Sequence, residues 1–225
     1  MYKMTRTMIT HSALRQRQRA RRMAEMIRLV QPPSGARVVD LGGMWTIWQS
    51  IEHDFHVTLV NLSPWPVPPD TTRYRVVIAD ACDLQDVFPD QSFDLAFSNS
   101  TIEHVGGPER RRRFAHEVQR LAPSYWVQTP NPSFPVESHT GLPFYWQWPN
   151  FLQRAASRVY DHHAGWKEFI ETTVAVDETA MISLFNGSQL YLERIFGLIK
   201  SLSVYRPYPK AEGRAFPRDV VRSHF

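Results

Sequence analysis

Short runs of apolar, β-branched and aromatic residues recur along the chain and predict β-strands. They span residues 36–41, 56–62, 74–79, 93–98, 124–129, 189–196 and 198–205. Helix-compatible segments separate the first five runs, and alternating strands and helices predict a mostly parallel sheet with helices on both faces. The last two runs meet at Gly197, and so short a connection joins antiparallel neighbours. The pattern therefore predicts an α/β protein whose sheet ends in an antiparallel strand.

Two segments carry clear helix signals. Residues 10–30 contain good helix formers without Gly or Pro and are followed by Pro32 and Pro33. Residues 108–121 open with Pro at an early helical position. The apolar stripe of the first helix lies in its second half, so we expect its first half to face solvent or to dock on a polar surface.

The charge of the chain is distributed unevenly. The formal net charge is +4, yet residues 1–35 hold eight basic residues against one acid, and the rest hold eighteen against twenty-one. The body is therefore mildly acidic, which argues against a large nucleic-acid footprint. We expect residues 1–35 to form a basic N-terminal helical arm or cap that closes over a site.

After Pro130 the alternation of strands and helices gives way to a proline-rich and aromatic stretch, followed by a helical region. Residues 131–186 are far longer than the loops of about 4–6 residues that usually connect elements, and they predict an insertion that serves as a lid over the acceptor. The predicted organisation is an arm at 1–35, an α/β domain at 36–205 with this insertion, and a C-terminal tail at 206–225.

Composition narrows the class of protein further. The chain has 225 residues, 43% of them hydrophobic, which is enough for one sizeable core. Cys82 is its single cysteine, which excludes an intrachain disulfide framework and a multi-cysteine metal site and favours a cytoplasmic location. No run approaches the roughly 20 apolar residues of a membrane span, and the N-terminus lacks the apolar core of a secretory signal.

Small and polar residues follow four of the predicted strands. The carboxyl ends of parallel strands are where open α/β sheets bind ligands, so these residues are candidates for contact with a cofactor. They are Asp40, Gly42, Gly43, Met44 and Trp45 after the first strand, Asn61 and Leu62 after the second, Asp80, Ala81 and Cys82 after the third, and Ser98 and Asn99 in the fourth.

The order and spacing of these motifs resemble those of the class I S-adenosylmethionine-dependent methyltransferases, in a bacterial branch whose Gly-Gly turn is followed by bulky residues. The resemblance implies S-adenosylmethionine as the cofactor. It assigns Asp40 and the turn at Gly42 and Gly43 to the amino-acid part and ribose, since a residue without Cβ lets the backbone approach closely. It places Asn61 where the family usually has a ribose-binding acid, and Asp80 where an acid accepts from the adenine amine.

His104, His139 and Glu137 are the candidate general bases. His104 follows the fourth strand, and histidine is the natural base at neutral pH, although a histidine there can equally fill a crevice. Glu137 and His139 enter the insertion, and since two ligands are too few for a metal, substrate contact is favoured and no metal site is predicted. Cys82 is expected to be a small buried residue rather than a nucleophile.

The resemblance implies methyl transfer to a small-molecule, lipid or saccharide acceptor. An alternative in the same fold uses the aminocarboxypropyl arm of the cofactor, by transfer or by cyclisation with release of methylthioadenosine, because Met44 and Trp45 stand where that arm is expected. A non-catalytic cofactor-binding or nucleic-acid-binding module is a third hypothesis. The residues after the fourth strand lack the Asn-Pro-Pro-aromatic or Asp-Pro-Pro-aromatic tetrapeptide of amino-group nucleic-acid methylases, so no nucleic-acid partner is predicted.

Overall fold

The structure, a computed structural model, describes residues 6–63, 68–137, 141–157 and 173–209. Seven strands form one sheet in the order β3-β2-β1-β4-β5-β7-β6. β7 runs antiparallel to both of its neighbours, β5 and β6, and the other neighbouring pairs are parallel. The strands are β1 (Arg37–Leu41), β2 (His56–Asn61), β3 (Tyr74–Ile78), β4 (Leu95–Asn99), β5 (Ser124–Pro130), β6 (Gln189–Ile195) and β7 (Leu198–Arg206). The predicted α/β class, with a mostly parallel sheet and an antiparallel last strand, is confirmed.

In the described parts of the chain, the helices are fewer than a full alternation with the strands would require. They are α1 (Arg6–Val30), α2 (Trp45–Trp48), α3 (Pro108–Leu121), α4 (Asn150–Ser157) and α5 (Glu178–Leu184), with a 3₁₀ turn at Tyr145–Gln147. In the described parts of the chain, the connections from β2 to β3 and from β3 to β4 are turns and loops without a helix. Residues 79–94 include Pro89 and five aspartates, and these residue types favour turns over helix interiors.

Two hydrophobic clusters cover the two faces of the sheet, as the alternation of side chains along each strand requires. In β1, Val38 packs in the cluster that contains residues of α1 and α2. Val39 and Leu41 pack on the other side, in the cluster that contains residues of α3 and α5. Both faces are buried, which explains why the central strands are almost continuously apolar.

The second half of α1 belongs to this core. Met23, Met26 and Val30 are fully buried among residues of the sheet and α2. Beyond the helix, the backbone N–H of Tyr208 donates to the carbonyl of Val30. The predicted boundary at residue 35 therefore does not separate two cores, although the division of the chain into an arm, a domain and a tail stays a prediction.

A search of the described helices for a membrane span finds none that combines the necessary length and apolar character.

Candidate functional site

A cavity of about 750 Å³ opens at the carboxyl edge of the central strands. Its volume falls in the range of about 300–1,000 Å³ that is typical of sites for small molecules and cofactors. Four parts of the chain line it: the turn after β1 (Asp40, Gly42, Gly43, Met44, Thr46, Ile47), the ends of β4 and β5 (Asn99, Ser100, Gln128, Pro130), the insertion (Phe134, Val136, Glu137, Gly141), and α1 with β7 (Gln18, Arg19, Arg22, Lys200, Ser201).

The turn after β1 can be built only with glycine at two positions. Gly42 has a φ of +76°, and a Cβ there would lie 2.3 Å from Cγ2 of Thr101. A Cβ on Gly43 would lie 1.9–2.0 Å from the carboxyl atoms of Asp40. Because real Cβ contacts are far longer, Gly43 is what allows the Asp40 carboxyl to fold back against the turn.

Asp40 is fully buried and lies on the wall of the cavity. Its Oδ2 accepts a hydrogen bond of 2.8 Å from Nε1 of Trp48, whereas its Oδ1 has no partner among the described residues. Burial raises the pKa of Asp40 to about 7, against the lowering effect of the Trp48 bond. A buried oxygen without a partner at a cavity wall is a place where a ligand with a donor or a positive charge would be stabilised.

Asn61 supports this turn from the end of β2. Its Nδ2 donates to the carbonyl of Gly43 at 2.9 Å. Neither Asn61 nor Leu62 lines the cavity, and the side chain of Leu62 is 77% exposed. The predicted ribose contact of Asn61 stays a prediction, and what the structure shows is that Asn61 fixes the glycine turn.

Arg22 is a site residue that the sequence analysis missed. Its guanidinium is buried and donates to Oε2 of Glu193 from Nε (3.1 Å) and Nη2 (2.8 Å). Its Nη1 donates to Oδ1 of Asn99 at 2.6 Å and to Oε1 of Gln128 at 3.1 Å, and Ser201 Oγ donates to the same Glu193 oxygen. One side chain of α1 thus ties together the ends of β4 and β5 with β6 and β7.

The sequence that begins in the glycine turn matches a known protein family. Residues 42–124 match a family described as a methyltransferase domain, a little over a third of the chain. They begin in the glycine turn and end at the start of β5. Over these residues the chain is similar to methyltransferase domains.

Two curated relatives are uncharacterized proteins of Mycobacterium tuberculosis. Each is 32% identical to this chain over 81 residues, which is 36% of this chain and 26% of the relative. The matched segment is thus about a quarter of the length of those proteins.

Solved structures share the fold of this chain. An S-adenosylmethionine-dependent methyltransferase from Archaeoglobus fulgidus aligns with a TM-score of 0.55 at 11% identity, over 90% of this chain and 100% of that one. A possible exported protein from Bordetella parapertussis aligns with a TM-score of 0.56 at 11% identity, over 87% and 68%. Phosphoethanolamine N-methyltransferase 2 of Haemonchus contortus, solved with phosphomonomethylethanolamine and S-adenosylhomocysteine, aligns with a TM-score of 0.50 at 15% identity, over 76% and 38%.

The predicted adenine contact Asp80, just after β3, does not line the cavity and already has protein partners. Nη2 of Arg110 donates to Oδ1 at 2.9 Å and to Oδ2 at 2.8 Å, and the backbone N–H of Cys82 donates to Oδ1 at 2.9 Å. Burial opposes ionisation, but these bonds outweigh it and hold the pKa of Asp80 below its usual value. The carboxylate is anchored, and its remaining lone pairs can still accept a donor.

Some of the other residues predicted to bind the cofactor line the cavity, whereas others pack away from its wall. Met44 and Asn99 line the cavity. Ser98 is buried beneath it, with its hydroxyl donating to the carbonyl of Leu41 at 2.9 Å. Trp45 and Ala81 are packed against the two core clusters and do not line the cavity.

Cys82 is also away from the cavity wall, and its side chain is buried. Burial raises the pKa of its thiol to about 11. The environment is that of an inert core thiol, as expected from the sequence.

The three candidate bases lie in different surroundings. Glu137 is buried and lines the cavity. His104 does not line it: Nδ1 lies 3.0 Å from Oγ1 of Thr173, and Nε2 lies 4.0 Å from Oε1 of the buried Glu103. His139 lies outside the described residues. Those residues contain no group of three or more metal-ligating side chains placed to hold an ion.

Proposed function

We propose that this chain binds S-adenosylmethionine and transfers its methyl group to a small-molecule, lipid or saccharide acceptor. The observation that carries the proposal is the Asp40 carboxyl, buried at the cavity wall against Gly43, with one oxygen lacking a partner among the described residues. A methyltransferase family model begins at this turn. The cytoplasmic location and the absence of a nucleic-acid partner remain parts of the proposal that rest on the sequence.

The residues of the cavity fit this cofactor. S-adenosylmethionine carries an ammonium and a sulfonium group, and a carboxylate oxygen in a buried site attracts a cation more strongly than it would in water. Asp40 supplies that oxygen, and the glycine turn lets the backbone approach the ligand closely. Asp80, outside the cavity wall just after β3, keeps its proposed role as an acceptor for the adenine amine. Met44 and Ile47 add apolar surface to the same wall.

S-adenosylmethionine, when bound, supplies a methyl group that is open to in-line attack by a nucleophile. The task of the chain is then to position the acceptor and to exclude water. Glu137 is the described candidate base that borders the cavity, so it is the group proposed to take a proton from an acceptor hydroxyl or ammonium. His104 is proposed as a structural residue, because its ring nitrogens face Thr173 and Glu103.

Titration calorimetry with S-adenosylmethionine and S-adenosylhomocysteine tests the first step. We expect both to bind the unchanged chain, and Asp40→Asn to weaken binding because the negative charge is lost. Asp83→Asn, which changes an exposed aspartate outside the cavity, is the matched control and should bind as tightly as the unchanged chain. Absence of binding at millimolar concentration would overturn the proposal.

Analysis of the spent cofactor tests the reaction. Incubation with S-adenosylmethionine and a panel of acceptors should yield S-adenosylhomocysteine, detected by mass spectrometry, together with methylated acceptor. Methylthioadenosine as the enzymatic product would contradict methyl transfer and would favour use of the aminocarboxypropyl arm.

A further inference from the structure

The cavity has two walls of different charge. The turn after β1 contributes Asp40, whereas the opposite wall, made by α1 and β7, contributes Arg19, Arg22 and Lys200. We call these three residues the cationic wall. Among the described residues, the carboxylates near it are Glu193, which pairs with Arg22 and does not line the cavity, and Glu137 of the insertion. The described part of this side of the cavity thus combines three cationic side chains with two carboxylates.

The buried member of the cationic wall is held rigidly. The four hydrogen bonds of Arg22 to Glu193, Asn99 and Gln128 use four of the five N–H donors of its guanidinium. The remaining N–H is on Nη2, in a side chain that borders the cavity. A guanidinium fixed in this way is preorganised, so an anion that meets it would lose little affinity to ordering of the side chain.

The cationic wall and the glycine turn lie at different strands of the sheet. Ser201 pairs with Pro130, so Lys200 lies just beyond the carboxyl end of β5, where its carbonyl accepts from the backbone N–H of Asn131. β7 is three strands away from β1 in the sheet order. With strands about 4.8 Å apart, this places the backbone of Lys200 roughly 14 Å across the sheet from the β1 strand that carries Asp40.

We propose that the cationic wall is an oxyanion subsite, and that the acceptor of this enzyme carries a carboxylate or a phosphate group which binds there. The inference rests on the proposed methyl transfer and adds the chemical class of the acceptor. The anionic group binds against Arg22 and Lys200, which directs the rest of the acceptor toward the middle of the cavity, between the cationic wall and the β1 turn. Glu137 borders the same cavity, within the space that the acceptor would fill.

The test uses inorganic phosphate and succinate as probes, titrated into the full chain saturated with S-adenosylhomocysteine. We expect Arg19→Gln and Lys200→Gln each to weaken probe binding by about threefold to tenfold, and more strongly at low salt. Arg17→Gln is the matched control, since Arg17 is exposed on the same helix two residues before Arg19 and does not line the cavity. A stronger response with phosphate than with succinate identifies a phosphorylated acceptor, and the reverse identifies a carboxylated one.

Two outcomes would overturn the inference. Probe affinities that are unchanged in both cavity variants would show that the wall does not bind oxyanions. Alternatively, if both variants lose affinity for S-adenosylhomocysteine but keep their affinity for methylthioadenosine, which lacks the carboxylate, the wall serves the cofactor instead of the acceptor. Failure of the unchanged chain to bind S-adenosylhomocysteine would contradict the proposed function itself. Binding of S-adenosylhomocysteine by each variant also verifies that it is folded.

Discussion

The guanidinium of Arg22 donates two hydrogen bonds, of 3.1 and 2.8 Å, to a single carboxylate oxygen of Glu193, although the two residues stand 171 positions apart. Both side chains are more than nine-tenths buried. The pair joins α1 to the antiparallel end of the sheet, and its other partners lie on β4 and β5. The N-terminal helix is therefore coupled to the carboxyl edge of the sheet through one buried ion pair.

Removal of Arg22 should destabilise the protein strongly. In Arg22→Met, the carboxylate of Glu193 would be left buried, and the hydroxyl of Ser201 would be its one remaining donor among the described residues. Leaving one member of a buried ion pair without its partner costs about 3–5 kcal/mol of unfolding free energy. Urea unfolding followed by circular dichroism measures this change.

The control for that experiment is Arg28→Met, on the same helix. Arg28 pairs with Glu25 at the surface and its side chain is 65% exposed, so its loss should change the unfolding free energy by less than about 0.5 kcal/mol. The double variant Arg22→Met with Glu193→Gln should lose less unfolding free energy than the sum of the losses in the two single variants, because it leaves no unpaired charge. An Arg22→Met chain as stable as Arg28→Met would contradict the structural role of the pair.

A methyl group at residue 43 should impair ligand binding. In Gly43→Ala, the new Cβ would overlap the Asp40 carboxyl, which is buried and must therefore shift away from Trp48. Misplacement of a binding group by about 1 Å costs about tenfold to hundredfold in function, and we expect a loss of that size in affinity for S-adenosylhomocysteine. Calorimetry provides the measurement.

Gly107→Ala is the matched glycine variant. Nothing lies within 4 Å of a Cβ at that position, and its φ of −67° is open to any residue. Alanine caps a helix less well than glycine, so some stability is lost at the start of α3, but affinity for the ligand should stay unchanged. Equal affinities in the two alanine variants would show that the turn is not part of the site.

Local signals predicted the strands and the glycine turn well. A run of β-branched residues indicates a buried strand from the local sequence alone. The five strands from β1 to β5 begin and end within about two residues of the predicted limits. The acid near the end of β1 and the two glycines that follow the strand lie close together in sequence, so their pattern is visible before folding. Asp40 indeed borders the cavity together with Gly42 and Gly43.

The cationic wall could not be predicted in the same way, because its members come from opposite ends of the chain. Arg22 stands in a run of arginines that is typical of a solvated helix, and its partners follow 77, 106 and 171 residues later. One signal was present: Arg22 precedes Met26 by four residues and Val30 by eight, which places it on the buried stripe of α1. A charged residue on an apolar stripe predicts a buried partner, but not which one.

The thiol of Cys82 should be unreactive in the folded protein. Burial raises the pKa of Cys82 to about 11, so at pH 8 the thiolate fraction is about a hundredfold below that of a thiol with the ordinary value of 9.0. We expect iodoacetamide to leave the native chain unmodified over hours at pH 8 and to alkylate it rapidly in urea. Because the chain has one cysteine, the mass of the intact protein reports the reaction directly. Rapid alkylation without urea would show that Cys82 is accessible.

Affinity for S-adenosylmethionine should depend on pH through Asp40. Burial raises the pKa of Asp40 to about 7 in the protein without ligand, so at pH 6 the carboxyl is mostly protonated and cannot attract a cation. If only the ionised form binds, affinity rises about eightfold between pH 6 and pH 7.5, and binding releases a proton. The α-amino group of the ligand stays mostly protonated over this range, since its ordinary pKa is about 7.7–8.0. Calorimetry in buffers of different ionisation enthalpy counts the released proton.

The titration of Asp40 should also make the stability of the folded chain depend on pH. In the unfolded chain Asp40 releases its proton near its ordinary pKa of 3.8, whereas burial in the folded chain raises this pKa to about 7. The folded state therefore binds more protons between these limits, and the contribution of Asp40 to stability falls as the pH rises from about 4 to 7. Asp40→Asn cannot titrate, so its stability should fall less over that interval, and its ligand affinity should lose the dependence on pH. The control Asp83→Asn should keep both dependences. If Asp40→Asn also kept them, the titration would belong to another group.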